Sequence, residues 1–126
     1  MSFSNHAENL VLDWLLTNGT ATRPTAWYVG LFTSDPTDAD TGTEVSGGSY
    51  ARTAVTFSVT GNAATNTAGV EFPAATASWG TVSHIAIYDA STSGNMLFHT
   101  ALDIAKAITD GDVFRIPTGD LDFTLD

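Results

Sequence analysis

The chain has 126 residues, fourteen acidic and four basic, for a formal net charge of −10. The four cations, Arg23, Arg52, Lys106 and Arg115, are scattered, which excludes the clustered Lys and Arg that a nucleic-acid backbone requires. There is no cysteine, so disulfides, thiol catalysis and cysteine-type zinc sites are excluded as well.

In chain order, the first element is a helix over 4–17. Asn5 is the expected cap, with Glu8 three residues on as in a capping box. Ala7, Leu10, Val11, Trp14 and Leu15 follow at helical spacing, and Asn18-Gly19 is the expected stop. The apolar stripe packs either on the chain's own sheet or on a neighbouring subunit.

Strands and turns fill the rest, a β body over 26–126. Trp27 to Phe32 is nearly all apolar and reads as a central strand covered on both faces. A long polar loop follows over 34–49 and holds Asp35, Asp38, Asp40 and Glu44. Tyr50 to Val59 reads as a half-buried strand, because Val55, Phe57 and Val59 alternate with polar residues. Gly61-Asn62 turns the chain, and Asn66 to Phe72 is a weaker strand stopped by Pro73.

Trp79-Gly80 pairs a large ring with a permissive backbone. His84 to Tyr88 and Met96 to Leu102 read as a hairpin, and Ile104 to Ile108 as a further strand. Asp110-Gly111 is a turn signal before Val113 to Ile116. Leu121, Phe123 and Leu125 alternate with polar residues in a last strand. Short strands at this spacing, with one N-terminal α-helix, predict a mainly β fold: a single-domain antiparallel β-sandwich or barrel of about seven to eight strands over 1–126. No apolar run is long enough to span a membrane, and the N-terminus lacks the pattern of a signal peptide.

The search for chemistry is mostly negative. His84 and His99 sit on the two strands of the hairpin, among core-like neighbours, and read as structural residues rather than a metal or acid–base pair. No G-x-S-x-G, Walker or dinucleotide motif occurs. The acids of the long loop lack calcium-loop spacing and read as a solvated loop. Trp27, Tyr28 and Trp79 could stack on a sugar if exposed together, as in carbohydrate-binding modules, but strand aromatics usually face inward. No cofactor or catalytic residue is expected. Only 14% of residues are charged, against about 25% in an average domain. A hydroxyl-rich, Lys-poor surface loses little side-chain entropy when covered, which suits an assembly interface.

Four stretches carry a resemblance. They are Ala26 to Pro36 (AWYVGLFTSDP), Gly42 to Arg52 (GTEVSGGSYAR), Phe72 to Val82 (FPAATASWGTV) and the C-terminal part, Gly111-Asp112 through Leu121 to Asp126. With the N-terminal helix, they resemble a family of short virion proteins of tailed bacteriophages and prophages, commonly labelled phage tail fibre proteins. The resemblance implies a non-enzymatic structural protein of the virion, assembled in the host cytoplasm. Capsid decoration (cement) proteins are the other role it allows. The implied partners are other virion proteins, major capsid or tail proteins, together with further copies of the chain as a homo-oligomer. Neither nucleic acid nor membrane is an expected partner. The interface candidates are Leu10, Val11 and Trp14 on the helix, with Asp35, Asp38, Glu44 and Arg52 beyond it. Arg52 pairs with a carboxylate of its own fold or of a neighbouring subunit.

Overall fold

The computed structural model describes residues 1–125. In chain order the elements are β1 (Ser2–Phe3), α1 (Asn5–Leu16), β2 (Tyr28–Phe32), β3 (Thr53–Ala54), β4 (Phe57–Thr60), β5 (Ala63–Asn66), β6 (Val70–Glu71), β7 (Gly80–Tyr88), β8 (Met96–Ile108), β9 (Arg115–Ile116) and β10 (Asp122–Thr124). They form a five-stranded sheet, β1-β8-β7-β2-β3, a three-stranded sheet, β10-β5-β4, and a two-stranded pair, β6-β9. All pairings are antiparallel. The fold is mainly β with one N-terminal helix and sandwich-like packing of sheets, as the alternation of the sequence predicts.

The core follows from register. Val29 pairs with Ile87 and Leu31 with Ile85, so the apolar side chains of β2 and β7 share one face of the large sheet. That face packs on residues of the smaller sheets, among them Val70, Ile116, Phe57 and Phe123. Aromatic pairs tie the layers: Phe98 stacks on Phe123 at 4.4 Å between centroids, and Phe72 meets Phe114 edge-on at 5.7 Å. Each such ring contributes about 2 kcal/mol by burial alone. Tyr28–Phe32 is the central strand expected, with Val29, Gly30, Leu31 and Phe32 all buried. The opposite face of the sheet has its own small cluster of Phe32, Ala86, Tyr88 and Met96.

Several boundaries differ from expectation. The stretch 50–59 divides into β3 and β4, which belong to different sheets. Val55 is buried, Phe57 half-buried and Val59 exposed, so alternation marks a strand here without marking burial. The stretch 66–72 likewise divides, because Asn66 ends β5 and turns its amide into the loop that follows. Ile104–Ile108 is no separate strand. It continues β8 past a bulge, since Val82 pairs with Lys106 while His84 pairs with Ala101. Ile104, on the bulged segment, points outward and is 76% exposed.

Candidate assembly surface

The base of α1 is fixed by three separate contacts. Ser4, not Asn5, is the cap: its Oγ accepts the Ala7 N–H at 3.1 Å. The same hydroxyl donates to Met96 O, and the Ser4 N–H donates to Leu97 O at 2.9 Å. Leu97 is the extra residue of a second bulge in β8, between the pairs Ile87–Phe98 and Tyr88–Met96. The Asn5 N–H donates to Asp38 O at 2.8 Å, which ties the long loop to the helix. A serine at this point reaches both Ala7 and Met96, whereas Asn5 is exposed. With the cap at Ser4, Glu8 falls one position too late for a capping box. Thr17 closes the helix in extended geometry, its N–H on Asp13 O, so Asn18-Gly19 is not the stop.

Beyond its base the helix leaves the body of the protein. Ala7 is its one buried residue. Leu10 and Val11 are half-buried, while Leu12, Trp14, Leu15 and Leu16 are 55%, 70%, 62% and 75% exposed. The chain's own sheet therefore covers only the start of the apolar stripe. Leu10, Val11 and Trp14 form one wall of a groove of about 290 Å³ whose other wall is Ala21 and Arg23.

The other candidates belong to a network above the second face of the large sheet. Arg52 binds Glu44 with two parallel bonds, Nε to Oε2 and Nη2 to Oε1, both 2.8 Å. Its Nη1 donates to Ala90 O and Ser93 O. The Arg52 partner thus lies in its own fold. Burial alone would lower the Arg52 pKa, but the bonds and charge of Glu44 outweigh it and hold the guanidinium above its ordinary value. Tyr50 Oη donates to Glu44 at 2.6 Å and accepts the Leu31 N–H at 2.9 Å. Gly30 makes room for this: a Cβ there would lie 3.0 Å from the Glu44 carboxylate.

The loop acids spread over several partners, with only Asp35 and Asp38 near the same group, His99, at 3.9 and 2.7 Å. Asp35 accepts the Thr37 N–H, Asp38 meets His99 Nε2 at 2.7 Å, Asp40 accepts Tyr88 Oη at 2.6 Å, and Glu44 takes Arg52. Asp35 shapes a turn within the loop, while Asp38, Asp40 and Glu44 anchor it to β8, to β7 and to Arg52 just before β3. Among the described residues no cluster of three His, Asp or Glu has metal-binding geometry. His84 bonds Ser83, so the two hairpin histidines have separate partners. Trp79 is buried, its Nε1 donating to Gly48 O, while Trp27 and Tyr28 are half-buried. The three aromatics form no shared exposed platform. Among the described residues no helix is long and apolar enough to cross a membrane.

Residues 2–124 match the family model described as podophage GP4 fiber I protein gp80. The chain belongs to this family. A fiber protein is a component of the virion, so the gp80 family places the chain among tail-associated structural proteins of phage. No curated protein matches it.

For this gp80-family chain the sequence-derived residues fall into two groups. Leu10, Val11 and Trp14 share a groove on the helix. Asp35, Asp38, Glu44 and Arg52 belong to the loop and its anchors. Sequence reasoning missed Tyr50 and Tyr88, which complete the Arg52 network, and Arg23, which flanks the helix. It placed Leu15 on the stripe but gave no weight to Leu12 and Leu16, which lie off it. Their signal was present: six of the seven residues over 10–16 are apolar, which is more than one helix face can hold.

Proposed function

We propose that this chain is a non-enzymatic structural module of the phage fiber, acting through protein–protein contacts with other virion proteins. The exposed apolar end of α1 carries this reading. A soluble monomer rarely shows a contiguous apolar patch of this kind, and such patches mark interaction sites. The helix is held at its base by Ser4, Leu97 and Asp38, so the patch is presented on a fixed support.

The polar side chains of the fold support the same reading. The loop carboxylates, Arg52 and the two network tyrosines bond one another, an arrangement that shapes a loop rather than activating a nucleophile. Fiber rather than head decoration is favoured by the family description. The test is immunogold labelling of purified particles with an antibody to this chain. Label at the tail fibers is the expected result. Label over the head, or none on the particle, would overturn the proposal.

A further inference from the structure

We infer that Asn18 is a self-modification site. The Gly19 nitrogen closes on its side-chain amide, which is lost as ammonia, and the Thr17 hydroxyl and Asp13 carboxylate take up the Gly19 proton. The inference does not depend on the fiber reading above.

Sequence and exposure are the first argument. Of the six asparagines, only Asn18 precedes a glycine. Both residues are exposed, just beyond the last turn of α1. A side chain on the following residue crowds the backbone nitrogen that must attack, and glycine has none. The fold also requires glycine here. A Cβ at position 19 would run into both carboxylate oxygens of Asp13. That carboxylate is packed against the backbone where the reaction takes place.

Hydrogen bonding is the second argument. Ring closure needs a proton removed from an amide nitrogen, which is a weak acid. The Gly19 N–H donates to Thr17 Oγ1 at 3.0 Å. Thr17 Oγ1 in turn donates toward Asp13, 2.5 Å from its Oδ1 and 2.8 Å from its backbone oxygen. The three groups form a relay from the nitrogen through a hydroxyl to a carboxylate. It is directed at the one proton whose loss starts the reaction. Thr17 touches the reacting nitrogen, and Asp13 acts through it as a positioning residue. The helix sets up the relay, because Asp13 and Thr17 stand four residues apart on one face.

The atoms balance with water as the one co-reactant. The Gly19 nitrogen bonds to Asn18 Cγ, and a cyclic imide forms. The bond from Cγ to the amide nitrogen breaks, and ammonia leaves with the proton that the relay took up. Water then opens the imide at either carbonyl, giving aspartate or isoaspartate at position 18. The new negative charge lies at the C-terminal end of α1, where the helix dipole and Asp13 both oppose it. The reaction therefore loosens the last turn, beside the exposed Leu15 and Leu16.

The test is incubation of the purified full chain from mildly acidic to mildly basic pH, following ammonia release and the masses of its peptides. Conversion is expected at Asn18 and not at the other asparagines. The titratable and charged groups that share a cleft with Asp13 are His6 of the same helix, Arg23 of the segment after it and Asp89 just beyond β7. With the carboxylate as base, the wild-type rate should rise less than proportionally with hydroxide. Thr17→Val and Asp13→Asn should slow conversion at neutral pH about tenfold or more and make it proportional to hydroxide. Thr17→Ser keeps the hydroxyl and should keep the wild-type rate and profile. Near-ultraviolet circular dichroism checks the fold of each variant. Should a variant unfold, the wild type in urea supplies the profile without the relay. A folded wild type that keeps Asn18 intact, or whose rate is proportional to hydroxide as in urea, would overturn the inference. So would folded Thr17→Val and Asp13→Asn variants that convert as fast as the wild type or faster.

Discussion

The Arg52 guanidinium lies over the Tyr88 ring, its Cζ 3.5 Å from the ring centroid. The same guanidinium holds Glu44 with two bonds, and Tyr88 holds Asp40. One cation thus joins Glu44 to the Tyr88 ring, and Tyr88 in turn fastens the middle of the loop at Asp40. The Arg52 side chain is only 8% exposed, so these bonds are largely shielded from water.

Removing that cation leaves the Glu44 carboxylate half-buried and unpaired. Arg52→Ala is expected to cost about 3 kcal/mol of folding stability, measured by urea denaturation. Arg52→Lys should recover only part of it, because an ammonium cannot make the parallel pair. A loss under about 1 kcal/mol, the range of exposed pairs, would contradict the network.

Alkaline titration gives a second check. Burial, then the hydrogen bond to Glu44, raises the Tyr50 pKa above its ordinary value of 10.0. Burial, then the bond to Asp40, does the same for Tyr88. The folded state thus favours the neutral phenols. Their contribution is complete below pH 10 and is lost as the pH rises above it. Ultraviolet titration should show two of the three tyrosines ionising only as the chain unfolds. Ionisation of all three near pH 10 in the folded protein would refute this.

Asn66 is 1% exposed and uses its whole amide. Its Nδ2 donates to Ala68 O and Pro117 O, and its Oδ1 accepts the Gly119 and Leu121 N–H groups. It fastens the turn before β10 to the end of β5. Asn66→Ala orphans these groups and is expected to cost about 3 kcal/mol. Asn66→Asp should be worse at neutral pH, since a carboxylate would face two carbonyl oxygens, and should improve as acid protonates it. Thermal melts across that pH range would detect the trend; a flat profile would argue against this geometry.

Gly48 and Trp79 form a matched pair. Gly48 has φ +56, and a Cβ there would lie 2.9 Å from Trp79 Nε1. Gly48→Ala is expected to cost about 2 kcal/mol through backbone strain and the clash. The cost should shrink in a Trp79→Phe background, where the smaller ring withdraws. A double-mutant cycle reads this coupling, and strict additivity would disprove it.

The mainly β fold was legible because alternation and apolar runs locate strands directly. Val29 and Leu31 were readable as core for that reason. Boundaries were less so. The β8 bulge depends on pairing with β7, and pairing between distant segments leaves no local signature at Ile104. The cap moved from Asn5 to Ser4 because Ser4 also bonds Met96, 92 residues away. The acids of the loop were visible as a cluster, but their separate partners, His99, Tyr88 and Arg52, come together only in the folded chain. The helix stripe was read correctly as periodic. Its exposure was not readable, since a residue pattern is the same whether a sheet or a neighbouring molecule covers it.

The most direct test of the account is a cryo-EM map of the intact particle at side-chain resolution. The account predicts this chain within the tail fibers, with Trp14, Leu15 and Leu16 covered by neighbouring protein and the loop at Asp35 to Glu44 held as described. Density for the chain on the capsid lattice, or in a fiber with the end of α1 open to solvent, would contradict it.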